Sequence, residues 1–193
     1  LNPDFAQVEA DQLKINLTRF RTRFAEKRPF FVEGNSFFET PLDLFFSRRV
    51  GSLAPILWGA KTTGKSGRYS IGLLGVQTGR FNAFGIEPKF GLRGEAWYSA
   101  IRLKRDIFNR SSIGYLFTNK EQGRNYSRLS GMDMHLGLGR TNHLSAQYAK
   151  SFQPTENLHQ NAFRIEFEQR DYQWHLKTII ERIEPEFEIN ETG

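Results

Sequence analysis

The 193 residues contain no cysteine, so neither a disulfide framework nor a thiolate metal site is open to the fold, and the redox compartment is left unspecified. Histidine is scarce too, with four in the chain and no tight ligand spacing among them. No stretch approaches the ~18 consecutive apolar residues that a membrane-crossing helix requires. Strands can still cross a membrane. The formal charge of +6 comes without a long Lys/Arg run, because the basic residues are scattered among acids. That balance permits an anionic partner, but no nucleic-acid motif accompanies it. There is no initiating Met and no signal peptide. Leu1-Asn2-Pro3 reads as the start of a mature or excised segment, and EINETG is not an obvious natural terminus.

Aromatic residues, by contrast, are abundant. Eighteen Phe, six Tyr and three Trp make up 14% of the chain, and rings of that number need a core, an interface or lipid. Hydrophobic residues make up 38%, and the 17 glycines bring the total close to the soluble range. Composition therefore leaves a soluble fold open.

Residues 59–66 read GAKTTGKS and fit the phosphate-binding pattern GxxxxGK[ST]. A working loop of that kind needs a buried strand before it and a helix after it, because loop amides and helix N-terminus hold the phosphates together. The next thirteen residues are GRYSIGLLGVQTG, with glycine at 67, 72, 75 and 79. Each glycine costs a helix interior about 1 kcal/mol relative to Ala. No later apolar run ends in an acid suited to hold Mg²⁺. The stretch reads as strand, KSGR turn, strand, with no nucleotide and no cofactor, and no helix should begin at Lys65.

From residue 55 onward the apolar residues recur with period two. Met132, Met134, Leu136 and Leu138 share one face and Asp133, His135 and Gly137 the other. Phe163, Ile165 and Phe167 alternate with Arg164, Glu166 and Glu168, and Leu176 and Ile180 oppose His175, Lys177 and Glu181. The polar set Arg102, Lys104, Asp133, His135, Arg164, Glu166, Glu168, His175, Lys177 and Glu181 reads as lumen lining. Trp97, Tyr115, Tyr148, Phe152, Phe163 and Trp174 read as facing lipid or an aromatic girdle. The segments run about nine to eleven residues, the length of a tilted membrane strand. Their connections alternate short and long: KSGR, GRFNAFGIEPKFGLRG, DIFNR, NKEQGRNYS, GRTN, QPTENLHQ, RDY. Such alternation is a property of outer-membrane barrels, whereas a soluble sandwich does not need it. The expected fold is all-β, an antiparallel up-and-down meander forming part of a transmembrane barrel. Residues 51–193 supply the strands. Residues 1–50 supply an opening strand and an irregular aromatic, basic segment of the same domain.

That segment sets Arg19, Arg21, Arg23, Lys27 and Arg28 among Phe20, Phe24, Phe30, Phe31, Phe37 and Phe38. Such interleaving can stack single-stranded nucleic acid, but more often Arg stems simply lie over rings in a packed loop. Among carboxylates, Glu166 and Glu168 sit on one strand face, roughly 6.5 to 7 Å apart at 3.3 Å per residue, within the spread used by glycosidase pairs. Adjacent Arg164 and an ordinary polar lumen explain them without chemistry. Asp133, His135 and His175 suit a metal by type but read as hydrogen-bonded lining. No GxSxG elbow supports a serine nucleophile. No catalytic, cofactor or metal residue is assigned.

The segments NPDFAQVEAD (2–11), LTRF (17–20), EKRPFFVEG (26–34), FFSRRVG (45–51) and PILWGAKTTGK (55–65), in this order and spacing, resemble domain of unknown function 5916, an outer-membrane β-barrel region that commonly follows a carbohydrate-binding module family nine-like domain. RLKRD, RSSIGYLFTN and IEPEFEINETG add less specific similarity, and Ala25 stands where Pro is expected. The residues carrying the resemblance are Asn2, Pro3, Asp4, Phe5, Glu9, Asp11, Glu26, Lys27, Arg28, Pro29, Phe30, Phe31, Glu33, Gly34, Arg48, Arg49, Gly59, Lys61, Gly64 and Lys65. It implies an exported, outer-membrane location, a lipid bilayer as partner, and carbohydrate contacted through a preceding domain. Further barrel strands are expected beyond Gly193. The alternatives are a cell-envelope glycan hydrolase and a soluble β-rich binding module.

Overall fold

A computed structural model describes residues 25–51, 54–80, 94–154 and 160–187. The period-two segments become eight strands: β1 Ile56–Ser66, β2 Tyr69–Thr78, β3 Ala96–Phe108, β4 Ser111–Gln122, β5 Asn125–Leu138, β6 Asn142–Phe152, β7 Asn161–Arg170 and β8 His175–Ile183. They form one antiparallel sheet in sequence order, an up-and-down meander, as the alternation predicts. Among the described residues β1 and β8 are its two edges and do not pair with each other. Among the described residues, helix is limited to α1, Pro29–Val32, and to single turns at Asn35–Phe37 and Ser47–Arg49.

β1 continues through Lys65 to Ser66, and the chain turns at Gly67–Arg68 so that Ser66 pairs with Tyr69. No helix begins at Lys65. Gly67 has φ +57°, the left-handed geometry that a two-residue hairpin turn uses. Two expectations are corrected. β3, β4 and β5 run to 13, 12 and 14 residues, longer than nine to eleven. The connection expected to be a long loop at residues 119–127 is instead a two-residue turn, with Gln122 paired to Asn125 and Gly123 at φ +62°. Asn119, Lys120, Glu121 and Gln122 look like loop because they are polar. Strand pairing is a backbone property, however, and polar side chains do not interrupt a ladder whose faces no longer need to be apolar.

Register assigns the faces. Lys61, Leu74, Ala100, Leu116, Gly131, Ala149 and Ala162 lie on one side of the sheet, and residues 25–51 cover much of that side. Phe31, Phe38, Leu44 and Val50 of the covering segment are buried together with Leu74, Val76, Tyr98, Leu116 and Leu129 of the sheet. The wall contributes small residues where the segment contributes large ones. A Cβ on Gly72 would stand 3.0 Å from the Phe38 ring, and one on Gly131 would stand 2.7 Å from Leu44 Cδ1. Strand glycines here admit a close approach.

The opposite, open face carries Ile71, Leu73, Trp97, Ile101, Leu103, Ile113, Met132, Tyr148, Ile165 and Ile180, all exposed, with Met132 at 65%. A half-buried soluble sheet normally turns its apolar face to the core and its polar face to water. In this sheet the exposed large side chains stand on one side, and the charged residues of the strands stand mainly on the other.

Leu44→Ala is expected to cost about 2 to 5 kcal/mol and Gly131→Ala about 1 to 3 kcal/mol through overpacking. Gly64→Ala, whose Cβ meets nothing within 4 Å, should stay within about 0.5 kcal/mol of the parent. Urea unfolding followed by far-UV circular dichroism checks all three.

Candidate functional site

The covering segment is held by a polar knot encoded in EKRPFFVEG. Pro29 sits at the start of α1, where its missing N–H removes no helical bond, and Gly34 at φ +65° lets the chain leave the helix. The Glu26 carboxylate accepts from the backbone N–H groups of Lys27 and Arg28, from Arg28 Nε at 2.8 Å and Nη2 at 2.7 Å, and from Ser47 Oγ at 2.8 Å. The same Arg28 guanidinium donates to Val50 O at 2.5 Å and Ser47 O at 2.8 Å, and lies 4.2 Å from the Phe31 ring centre. Burial alone would raise the Glu26 pKa. Hydrogen bonds from the Arg28 side chain and backbone and from Ser47 outweigh burial and hold the carboxyl below its ordinary 4.5. The two ends of the segment, 26–31 and 47–50, thus become one charged, cross-linked body.

The motif at 59–65 receives this body. Lys61 projects from β1 and donates through Nζ to the carbonyls of Phe30 and Glu33 at the end of α1, with Nζ 5.2 Å from the Phe30 ring centre. A cation at helix C-terminal carbonyls is the favourable arrangement. A Cβ on Gly34 would stand 2.8 Å from Thr63 Oγ1, so the glycine is needed for contact as well as conformation. Lys65 reaches Asp106 at 2.6 Å, and Gly59 and Gly64 lie in β1. Farther along the sheet, Gln147 Oε1 accepts from the Leu42 backbone at 2.6 Å. Its position on the polar face is visible in the sequence, but a contact 105 residues away leaves no periodic signal.

All ten residues read as lumen lining share the covered face by register, in separate clusters. Arg102 and Asp133 form a buried two-pronged pair at 2.5 and 2.9 Å, spanning β4 above Gly114, where a Cβ would stand 2.5 Å from Arg102 Nη1. Arg164 bonds Glu166 at 2.6 Å and Glu181 at 2.7 Å, and Lys177 meets Glu166 at 2.7 Å. Glu168 holds Arg170 at 2.6 Å and His175 at 2.8 Å. His135 bonds Ser145 Oγ at 2.9 Å and stacks on His143 at 5.5 Å. Lys104 is exposed, and its charge acts on nearby Asp106 and His135. Asp133, His135 and His175 are therefore engaged in three different contacts, and no group of three or more metal-suited side chains occurs among the described residues. Glu166 and Glu168 are each held between two basic side chains rather than facing each other as an acid and a base.

Phe31 and Phe38 are buried and Arg28 lies over Phe31, the packed-loop arrangement of the aromatic, basic segment. Lys27, Phe30, Glu33 and Arg48 belong to the same segment, with Arg48 donating to Ala25 O. On the open face stand Trp97, Tyr115, Tyr148, Phe152 and Phe163, with Trp174 just before β8. Trp58 packs edge-on against Trp97 at 5.1 Å and donates to Gln77 at 2.6 Å, a pairing that register alone reveals.

The fold is thus an antiparallel meander whose charged face is covered by the segment that precedes it. Residues 1–65 match the family model described as Domain of unknown function (DUF5916). No curated protein and no solved structure matches the chain. The matched stretch contains both halves of the junction, 26–34 and 59–65, so the motif residues Glu26, Arg28, Gly34 and Lys61 have one physical account. Asn2, Pro3, Asp4, Phe5, Glu9 and Asp11, and the opening strand, lie outside the described residues.

A carboxyl whose folded pKa lies below its unfolded value stabilises the fold above the unfolded pKa and loses that contribution as pH falls through the folded one. Hydrogen-exchange protection factors over residues 26–50 should therefore fall as pH drops below about 4.5. In Glu26→Gln they should already be reduced at neutral pH and vary less with acid. Equal acid sensitivity in parent and variant would rule out Glu26 as the controlling group.

Proposed function

We propose that the chain is part of an outer-membrane β-barrel domain of a bacterial cell-envelope protein, in a role linked to carbohydrate binding or uptake. The observation that carries the membrane part is the open face. Large apolar side chains recur on it from β2 to β8, while the covered face holds the charge ladders. Exposed apolar patches on soluble monomers seldom exceed a few hundred Å², and the bilayer is the partner that suits one this broad.

Aromatic placement supports the same reading. Tyr69 pairs with Arg105 near one rim, and Gln77 pairs with Trp97 near the other. Eight residues at about 3.3 Å each separate the two levels by about 26 Å along the strand, or about 20 Å at a tilt near 40°. Outer-membrane barrels carry an apolar band about 25 Å tall between aromatic girdles. Hydrocarbon cannot satisfy the N–H and C=O groups of β1 and β8 that have no strand partner among the described residues, so the reading requires both edges to be paired within the bilayer. The carbohydrate link rests on the family resemblance, in which the barrel follows a carbohydrate-binding domain. The charge-paired setting of Glu166 and Glu168 gives the hydrolase alternative no support.

In size-exclusion chromatography with light scattering, the refolded chain should be monodisperse only in detergent or lipid and should aggregate on detergent removal. A monodisperse chain in plain buffer would overturn the membrane reading.

A further inference from the structure

The rim formed by the short turns between β1 and β2, β3 and β4, β5 and β6, and β7 and β8 combines two features. Aromatic side chains stand outward there: Phe108 is 76% and Tyr172 99% exposed, with Tyr69 and Trp174 about half exposed. Cations are set among them. Arg68 and Arg140 lie in turns and are exposed; among the described residues neither guanidinium makes a hydrogen bond or ion pair, although Arg68 acts electrostatically on nearby Asp106. Arg105 projects from the open face of β3, with its guanidinium 5.3 Å from the Tyr69 ring centre. Arg110 differs, since it donates to Gly139 O and Arg140 O and contacts His143, and so helps join two turns. The acids at this rim are engaged: Asp106 holds Lys65 at 2.6 Å, and Asp171 accepts from the Tyr172 backbone at 2.7 Å. At the opposite rim Arg128 is paired with Glu121 at 3.0 Å, and Arg182 stands 4.0 Å from Glu184.

A cavity of about 930 Å³ opens at the short-turn rim between Arg68 on one side and Phe108, Leu136 and Leu138 on the other. Its lining is polar at one end, where Arg68 stands with Asp106, Asn109 and Ser111, and apolar where it meets the open face; the Asp106 carboxylate is already held by Lys65. That sequence of chemistry, aromatic and aliphatic below and guanidinium above, matches the boundary of a bilayer leaflet.

We propose that this rim binds the phosphate headgroups of anionic phospholipids. Arg68, Arg105 and Arg140 supply the cations, and the cavity beside Arg68 receives the upper part of an acyl chain. Guanidinium is weakly hydrated and its planar donors fit phosphate oxygens, so free arginines are better suited to this task than paired ones. The proposal rests on the membrane reading and adds to it a lipid preference and the side that carries it.

The test uses the full chain refolded in uncharged detergent and mixed with vesicles of phosphatidylcholine alone, or of phosphatidylcholine and phosphatidylglycerol in equal parts, with binding read by co-flotation. The parent should enter both and bind the anionic vesicles more tightly, by on the order of fivefold per rim arginine. That gain should vanish at about 1 M salt. The triple variant Arg68→Gln, Arg105→Gln, Arg140→Gln should enter neutral vesicles like the parent and lose most of the gain, while Arg124→Gln at the other rim keeps it. A parent with no anionic preference, a gain that survives salt, or a gain unchanged in the triple variant overturns the rim proposal and leaves the membrane reading standing. Failure to enter either vesicle overturns both.

Discussion

The covering of the sheet's charged face by residues 25–51 is the constraint on which the other features depend. Strand side chains alternate strictly between two faces, so a segment that occupies one face fixes what every strand can present on the other. Here the occupied face carries Arg102, Asp133, Gln147 and Arg164 beside buried Ala100, Ala149 and Ala162. Beneath the segment lie Leu74, Val76, Leu116 and Leu129, and the exposed large apolar residues are left on the side that it does not reach. A one-residue slip in any strand would exchange the two sets, placing Leu103 or Ile165 against the covering segment and Arg102 or Arg164 on the apolar face. Register is thereby held by both faces at once.

The covering segment can play that part because its two ends are tied to each other as well as to the sheet. Glu26 and Arg28 join its two ends with charge-assisted hydrogen bonds, which are about twice as strong as neutral ones, in surroundings that leave their side chains only 9% and 10% exposed. Its attachments to the wall are of another kind. They are mainly close contacts of Phe38 and Leu44 over strand glycines, with two polar anchors at Lys61 and Gln147. Lys61 is the more telling anchor, since a cation on a regular strand closes α1 by donating to its free carbonyls. A short helix of four residues gains little from its own hydrogen bonds. Its persistence comes from Pro29, Gly34 and this lysine together.

The sequence pattern gives away what is local and periodic. All eight strands, the face assignment of the ten charged residues, and the turn after Ser66 can be read from alternation and glycine placement. The β4–β5 turn is hidden because a polar run looks the same whether it is a loop or the paired end of a long hairpin. Gly123 marks the turn without stating how far the pairing extends. The joining of Glu26 to Ser47, of Lys61 to α1, and of Leu42 to Gln147 is hidden for a different reason. Each brings together side chains that are distant in sequence and individually unremarkable in type, and only the fold supplies their proximity. The GAKTTGKS stretch shows both sides of this. Its glycine-rich sequel excludes a phosphate loop, yet nothing in the stretch says that its first lysine would close a helix about thirty residues earlier.

The ladder on β7 and β8 carries the same constraint to the edge of the sheet. Glu166 is shared by Arg164 and Lys177, and Arg164 by Glu166 and Glu181, so the charges nearly neutralise one another across two strands without the covering segment. Every residue of β8 is nevertheless exposed on both faces. Charged pairs in water contribute little. Such a row gains strength wherever its surroundings are poor in water. Among the described residues the outer side of β8 has no strand beside it, so its backbone groups are open to pairing. The charge ladder thus reaches the edge of the sheet where its backbone is also open.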